Sequence, residues 1–158
     1  LCENNLYAMG TALERHQAQL DVTLKARGYA MAAASVDGMD VLAVEAAARR
    51  AAEFVRSGEG PFLLEAKCYR FRAHSAYDPE LYRSREEVER WKARDPIPAF
   101  RDALGAAGLL APADLERIEA EAAREVDEAV AFAEASPWEP AEDLLRDVRA
   151  VPESGGAR

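Results

Sequence analysis

Met31-Ala32-Ala33-Ala34-Ser35-Val36-Asp37-Gly38 is the stretch on which the fold turns. The apolar run over residues 31–36 reads as a buried strand, and Asp37-Gly38 reads as the turn that ends it. Asp40 then offers a side-chain oxygen to cap a helix. Val41, Val44, Ala48, Ala51 and Val55 follow at spacings of three and four and make one apolar face. Ser57-Gly58-Glu59-Gly60-Pro61 stops that helix. Phe62-Leu63-Leu64-Glu65-Ala66-Lys67-Cys68-Tyr69 reads as a second strand. Strand, helix and strand make a βαβ unit, which implies a parallel sheet with a right-handed crossover. The expected class is α/β, a parallel sheet flanked by helices.

Upstream, Leu1-Cys2 runs directly into Glu3-Asn4-Asn5. This has the look of the end of a buried strand whose beginning is missing, so the chain is expected to be a segment of a longer one. Downstream, residues 84–150 read as helical. Ser84-Arg85-Glu86-Glu87 is a capping box that starts a helix reaching about Arg94. Asp95-Pro96 is a cap with a first-turn proline, and Gly105 and Gly108 lie near the end of the helix it opens. Leu115, Ile118, Ala122, Val126 and Val130 mark a long amphipathic helix after Pro112, which Ser136-Pro137 breaks. Pro140 to Val148 reads as a last short helix, and the polar tail from Pro152 as frayed. The division expected is an α/β part over 1–71, an aperiodic loop over 72–83, a helical region over 84–150 and a flexible tail over 151–158.

Composition removes several classes. A chain of 158 residues suits one ordinary domain, and its 31% charged and 49% apolar residues do not describe a disordered chain. The net charge of −9 repels phosphate backbones, so no nucleic-acid partner is expected. No apolar run approaches the roughly 20 residues that span a bilayer, so no membrane role is expected. Cys2 and Cys68 fit no zinc spacing and suit a reducing, intracellular setting.

Two clusters could carry chemistry. In Glu3-Asn4-Asn5-Leu6-Tyr7-Ala8-Met9-Gly10-Thr11, adjacent asparagines sit at a strand end, where open α/β sheets place ligands. Side-chain and backbone carbonyls in a bent loop suit Mg²⁺, although composition alone favours a plain turn. In Tyr69-Arg70-Phe71-Arg72-Ala73-His74-Ser75, arginine forks and a histidine fit phosphate oxygens. An ordinary charged surface loop is the even alternative. His16 reads as exposed, and Trp91 and Trp138 read as packing anchors.

Together the two clusters resemble the α subunits of the thiamine-diphosphate-dependent 2-oxo acid dehydrogenases. The resemblance rests on Cys2-Glu3-Asn4-Asn5-Leu6-Tyr7-Ala8-Met9-Gly10-Thr11, then on Val36-Asp37-Gly38-Met39-Asp40, Gly60-Pro61, Tyr69-Arg70, His74-Ser75, Asp78-Pro79, Tyr82-Arg83 and Asp95-Pro96-Ile97 in order. It implies the C-terminal part of a thiamine-diphosphate-binding fold followed by a helical region. It implies thiamine diphosphate and Mg²⁺ as cofactors. Asn5 is the implied magnesium ligand through its side chain, and Tyr7 through its backbone carbonyl. His74 is implied at the diphosphate and as catalytic in reductive transfer to a lipoyl group, and Arg70 is implied as cofactor-binding, bracing either this loop or the phosphates. Ser75 matches a regulatory phosphorylation position. A β subunit is implied in an α2β2 heterotetramer, as is a lipoyl-bearing E2 acyltransferase. The implied activity is oxidative decarboxylation of a 2-oxo acid with acyl transfer.

Residues 7–11 and 86–97 are closer to the pyruvate branch, with branched-chain and acetoin enzymes as alternatives. A non-catalytic helical assembly module is the reading from another class. The implied setting is bacterial cytoplasm, or mitochondrial matrix in a eukaryote. Three departures stand out. The family's acidic magnesium ligand lies in a Gly-Asp-Gly motif not found here, so this chain by itself is expected to bind Mg²⁺ and cofactor weakly or not at all and to be inactive. Ala73 stands where relatives more often have Gly. Ala12 replaces a second phosphorylated serine, and the loop after Ser75 is shorter.

Overall fold

The strands are β1 (Cys2–Asn4), β2 (Tyr7–Ala8), β3 (Thr11–Ala12), β4 (Ala32–Asp37) and β5 (Phe62–Lys67). The helices are α1 (Leu13–His16), α2 (Val22–Ala26), α3 (Val41–Arg56), α4 (Arg85–Lys92), α5 (Pro96–Ala106) and α6 (Pro112–Ala135). The computed structural model describes residues 1–146 and 148. Two compact units divide at Leu110 and Ala111. The first holds the sheet together with α4 and α5, and the second begins just before α6.

The sheet order is β1-β5-β4, and both pairings are parallel. Ala34 lies opposite Leu64 and Asp37 opposite Lys67. Cys2 lies opposite Glu65 and Asn4 opposite Lys67. The expected βαβ unit is therefore present, with α3 packed on β4 and β5. Asp40 caps α3, its Oδ1 accepting from Leu42 N and Ala43 N at 3.0 Å each. The helix ends at Ser57, and Gly58 and Gly60 take left-handed φ values of +85° and +108°.

The face that α3 buries differs from the expected one by one residue. Ala47 is buried, whereas Val41, Ala48 and Val55 are exposed. The helix instead turns Phe54 toward Phe62, their ring centroids 5.5 Å apart and their planes at 68° in an edge-on arrangement. An edge-to-face aromatic pair contributes about 0.5–1.5 kcal/mol beyond its area. That outweighs the small difference between burying Ala47 and burying Ala48.

Three consecutive residues of β5, Leu64, Glu65 and Ala66, are all buried. Side chains alternate along a strand, so this requires cover on both faces of the sheet, as parallel sheets have. Burying Leu64 contributes about 2 kcal/mol. Glu65, at 0% exposure, is the one acidic or basic residue so enclosed among the described residues.

Ser84 caps α4, its Oγ accepting from Glu87 N at 3.1 Å. The reciprocal arm of the expected capping box is spent elsewhere, because the Glu87 carboxylate accepts from two tyrosines. Asp95 caps α5 through Ile97 N at 2.9 Å, with Pro96 in the first turn. In the second unit α6 runs for 24 residues. Its Ile118, Val126, Val130 and Phe132 are not covered within that unit. Trp138 is 96% exposed and packs on nothing there, contrary to the anchor expected. Ala141–Leu145 forms a tighter 3-10 turn rather than an α-helix. The tail from Pro152 lies outside the described residues.

Candidate functional site

The site is built where β1 stops. Asn4 is buried, and its Oδ1 accepts from Leu6 N at 3.1 Å. This local side-chain bond bends the backbone so that Leu6 takes φ +68°. A left-handed leucine costs about 1–2 kcal/mol, so its surroundings must enforce it. They do so from both sides. Asn4 Nδ2 donates to Glu65 Oε1 at 2.7 Å, and Leu13 N donates to Leu6 O at 2.8 Å. The bend leaves Asn5 and Tyr7 half-buried on either side of Leu6. The chain then returns through the β2–β3 hairpin, where Tyr7 faces Ala12.

The second wall leaves the end of β5. Gly38 N donates to Lys67 O at 2.7 Å, and a Cβ on Gly38 would stand 2.9 Å from that oxygen. Only glycine allows this approach. Cys68 N donates to Asn4 O at 3.0 Å, which sets the strand end beside the Asn5 turn. The Cys68 thiol makes a long contact of 3.4 Å to Asn5 Oδ1. Burial and the nearby Glu3 carboxylate push that thiol's pKa up, so it stays a neutral neighbour.

The aperiodic loop is held at its ends by Arg83, whose side chain is 3% exposed. Its Nη1 donates to Arg70 O at 2.7 Å and its Nη2 to Phe71 O at 3.0 Å. Its Nε donates to Glu80 Oε2 at 3.0 Å. Its guanidinium lies 5.3 Å from the Tyr69 ring centroid and 5.7 Å from that of Tyr82. Within the loop, Asp78 accepts from Glu80 N and from the Tyr82 hydroxyl, both at 2.9 Å. The Glu80 N–H and then the Tyr82 hydroxyl hold its carboxyl below the usual aspartate value. The left-handed residue of this loop is Glu80 (φ +56°) rather than Ala73, so alanine at 73 imposes no strain.

Glu87 joins the two walls from α4. The Tyr7 hydroxyl donates to it at 2.9 Å, and the Tyr69 hydroxyl does so at 2.9 Å. Burial first, then the Glu87 carboxylate, raises the Tyr7 pKa to about 12. The Tyr69 ring also stacks on Trp91 at 5.1 Å, so Trp91 is the packing anchor expected.

Asn5, Tyr7, Arg70 and His74 line one cavity of about 90 Å³, joined by Arg72 and Arg83. Residues more than 60 positions apart in sequence thus meet. Ser75 does not line this cavity but lines a recess of about 520 Å³ that shares Arg70, Arg72 and His74 with it. Ser75 is exposed, and its Oγ accepts from Tyr77 N at 3.3 Å. The cavity offers neutral oxygens on the Asn5 side and cationic or donor groups on the loop side. That polarity fits a magnesium ion bridged to a phosphate anion. Among the described residues no Asp or Glu lines this cavity, and no three His, Cys, Asp or Glu side chains gather as a metal cluster.

Sequence reasoning did not assign site roles to Arg83, Glu87 or Asn4. Arg83 was legible only as a landmark, and Glu87 only as half of a capping box. Glu65 did carry a signal, since a lone charge inside an apolar strand must find a buried partner.

A model of the dehydrogenase E1 component family matches residues 1–142. The chain belongs to that family. It is 42% identical over 146 residues to the testis-specific mitochondrial pyruvate dehydrogenase E1 component subunit alpha of Rattus norvegicus, covering 91% of this chain and 37% of that one. It is 42% identical over 147 residues to the pyruvate dehydrogenase E1 component subunit alpha of Zymomonas mobilis, covering 92% and 41%. Against the somatic mitochondrial form of Homo sapiens the identity is 41% over 146 residues, covering 91% and 37%. The chain thus spans about two fifths of the length of these E1 relatives.

Proposed function

We propose that this chain carries the diphosphate- and magnesium-facing wall of the active site in the α subunit of a pyruvate dehydrogenase E1 component. The observation that carries this is the single cavity lined by Asn5, Tyr7, Arg70 and His74. The names of the E1 relatives support pyruvate over branched-chain acids or acetoin. When bound, thiamine diphosphate supplies the electron sink that lets a 2-oxo acid lose carbon dioxide. Asn5 Oδ1 and the Tyr7 carbonyl would face Mg²⁺. Arg70 and His74 would donate to diphosphate oxygens, and His74 would also hold or move a proton at its ring during acyl transfer. Residues 72–83 would act as the loop that carries these groups.

Two neutral oxygens leave most of an octahedral sphere open to diphosphate oxygens, water and a carboxylate from elsewhere in the complete subunit. The partners proposed are a β subunit, in an α2β2 heterotetramer, and a lipoyl-bearing E2 acyltransferase. The setting is bacterial cytoplasm or mitochondrial matrix. No helix among the described residues is long and apolar enough to cross a membrane. Ser75 is a candidate regulatory site, because a phosphate there would repel the diphosphate across the shared recess.

The test is Asn5→Ala and His74→Ala in the complete α/β enzyme. Asn5→Ala should lose Mg²⁺-dependent thiamine diphosphate binding in a calorimetric titration. His74→Ala should lose acyl transfer to lipoamide. Normal behaviour of both variants would refute the site.

A further inference from the structure

Glu65 is the most enclosed side chain of the first unit, and the proposed function assigns it no role. It is 0% exposed and sits at the centre of β5, between Cys2 on one side and Ser35 on the other. Its Oε1 accepts from Asn4 Nδ2 at 2.7 Å, and its Oε2 has no hydrogen-bond partner among the described residues. A doubly covered parallel strand is satisfied by apolar residues throughout. A buried acid that meets one amide and leaves an oxygen unmatched is a poor way to stabilise a sheet. Its single bond, however, leads directly to the cofactor turn. Asn4 is gripped at Nδ2 by Glu65 and holds Leu6 N with Oδ1. Leu6 is the left-handed residue between Asn5 and Tyr7.

We infer that Glu65 is a positioning residue for the cation-facing turn, acting through Asn4 to set the angle between Asn5 Oδ1 and the Tyr7 carbonyl. The amide of Asn4 can rotate about its side-chain bonds. Fixing its Nδ2 end on Glu65 aims its Oδ1 end at Leu6 N. Without that fix the Leu6 backbone can relax toward ordinary φ values, and the two oxygens swing apart. This rests on the reading of Asn5 and Tyr7 as magnesium-facing groups.

The experiment uses the complete α subunit assembled with its β partner. Mn²⁺ replaces Mg²⁺ and is followed by electron paramagnetic resonance in the presence of thiamine diphosphate. Glu65→Leu fills the same space and removes the acceptor, so it should fold and melt no earlier than the parent. It should weaken Mn²⁺ binding by about 10–100-fold, the usual effect of losing an outer-shell partner. Excess Mg²⁺ should recover the lost turnover. Glu65→Gln keeps a carbonyl for Asn4 Nδ2 and should restore Mn²⁺ affinity. Asn4→Ala removes both bonds by another route and should weaken it like Glu65→Leu.

Parent-like Mn²⁺ affinity in Glu65→Leu and Asn4→Ala would overturn the inference, as would failure of Glu65→Gln to restore it. If Glu65→Leu does not assemble, Asn4→Ala carries the test. Asn5→Ala separates the two levels. Lost binding there, with normal binding in the other variants, sinks only the role of Glu65. Parent-like binding in Asn5→Ala sinks the reading of the site itself.

Discussion

Replacing Arg83 with methionine should release the loop that carries His74. The guanidinium holds two backbone carbonyls, Arg70 O at 2.7 Å and Phe71 O at 3.0 Å. Hydrogen bonds from a charged donor contribute about 1.5–3 kcal/mol each. Taking the low end for both gives about 3 kcal/mol. The ion pair with Glu80 adds at most about 1 kcal/mol, because that carboxylate is 35% exposed. Methionine retains part of the contact with the Tyr69 and Tyr82 rings. The expected loss is therefore about 3–4 kcal/mol, felt first in the loop because it opens before the sheet does.

At about 1.4 kcal/mol per tenfold, amide exchange over residues 72–82 should rise at least a hundredfold. Exchange in β4 and β5 should change far less. Arg83→Lys keeps the charge but not the planar fork, and should recover about half the protection. The assay is hydrogen–deuterium exchange of the assembled protein read by mass spectrometry. A rise of less than about threefold, worth roughly 0.6 kcal/mol, would refute the reasoning. So would equal exchange in the methionine and lysine variants.

Gly38→Ala should lower stability by about 1–3 kcal/mol in urea, since its Cβ would press on Lys67 O at 2.9 Å. Gly28→Ala has open space and should be neutral or slightly stabilising, so equal effects at the two glycines would be inconsistent with this packing. Tyr7 carries a folded pKa of about 12 against an ordinary value near 10, so its contribution is complete below pH 10 and lost as pH climbs from about 10 to 12. Tyr7→Phe should remove the latest phenolate to appear in an ultraviolet titration, and an unchanged alkaline tail would count against the Glu87 clamp. Asp78 behaves oppositely, because its folded pKa is lowered. Its contribution is present above the ordinary value of about 3.9 and lost as pH falls through the lower folded one. Asp78→Asn should abolish the acid-side loosening expected at the Glu80 amide, which nuclear magnetic resonance would follow.

The βαβ core was legible because its signals are local and strong. Asp37-Gly38, the Asp40 cap and the Gly58-Gly60 stop each act within a few residues, and the strands and helix fall within two residues of where those signals put them, β5 ending at Lys67 rather than Tyr69. The buried face of α3 was misread because alanines occupy most of its positions, so period alone cannot choose between Ala47 and Ala48. The choice was made by Phe54 and Phe62, which belong to different elements. The residues lining the cavity were legible only as candidate types, since composition favoured a plain turn for the asparagines and gave an ordinary charged loop equal weight for the arginines. Their convergence was legible only through the family resemblance. Glu87 was hidden for a different reason. Its spacing from Ser84 satisfies a capping box, and nothing local shows that Tyr7 and Tyr69 claim its carboxylate instead.

Arg83 also changes what the loop is free to do over evolutionary time. By tying residues 70, 71 and 80 to one side chain, it keeps the ends of the segment together whatever lies between. Closing a loop whose ends are already fixed depends only on the logarithm of its length, about 0.6 kcal/mol for each doubling. Residues around Ala76 and Tyr77, both exposed, can therefore be lost or gained with little strain transmitted to Arg70 or Tyr82. A segment insulated in this way can gain or lose a serine such as Ser75 while Arg70 and Tyr82 beside it keep their places.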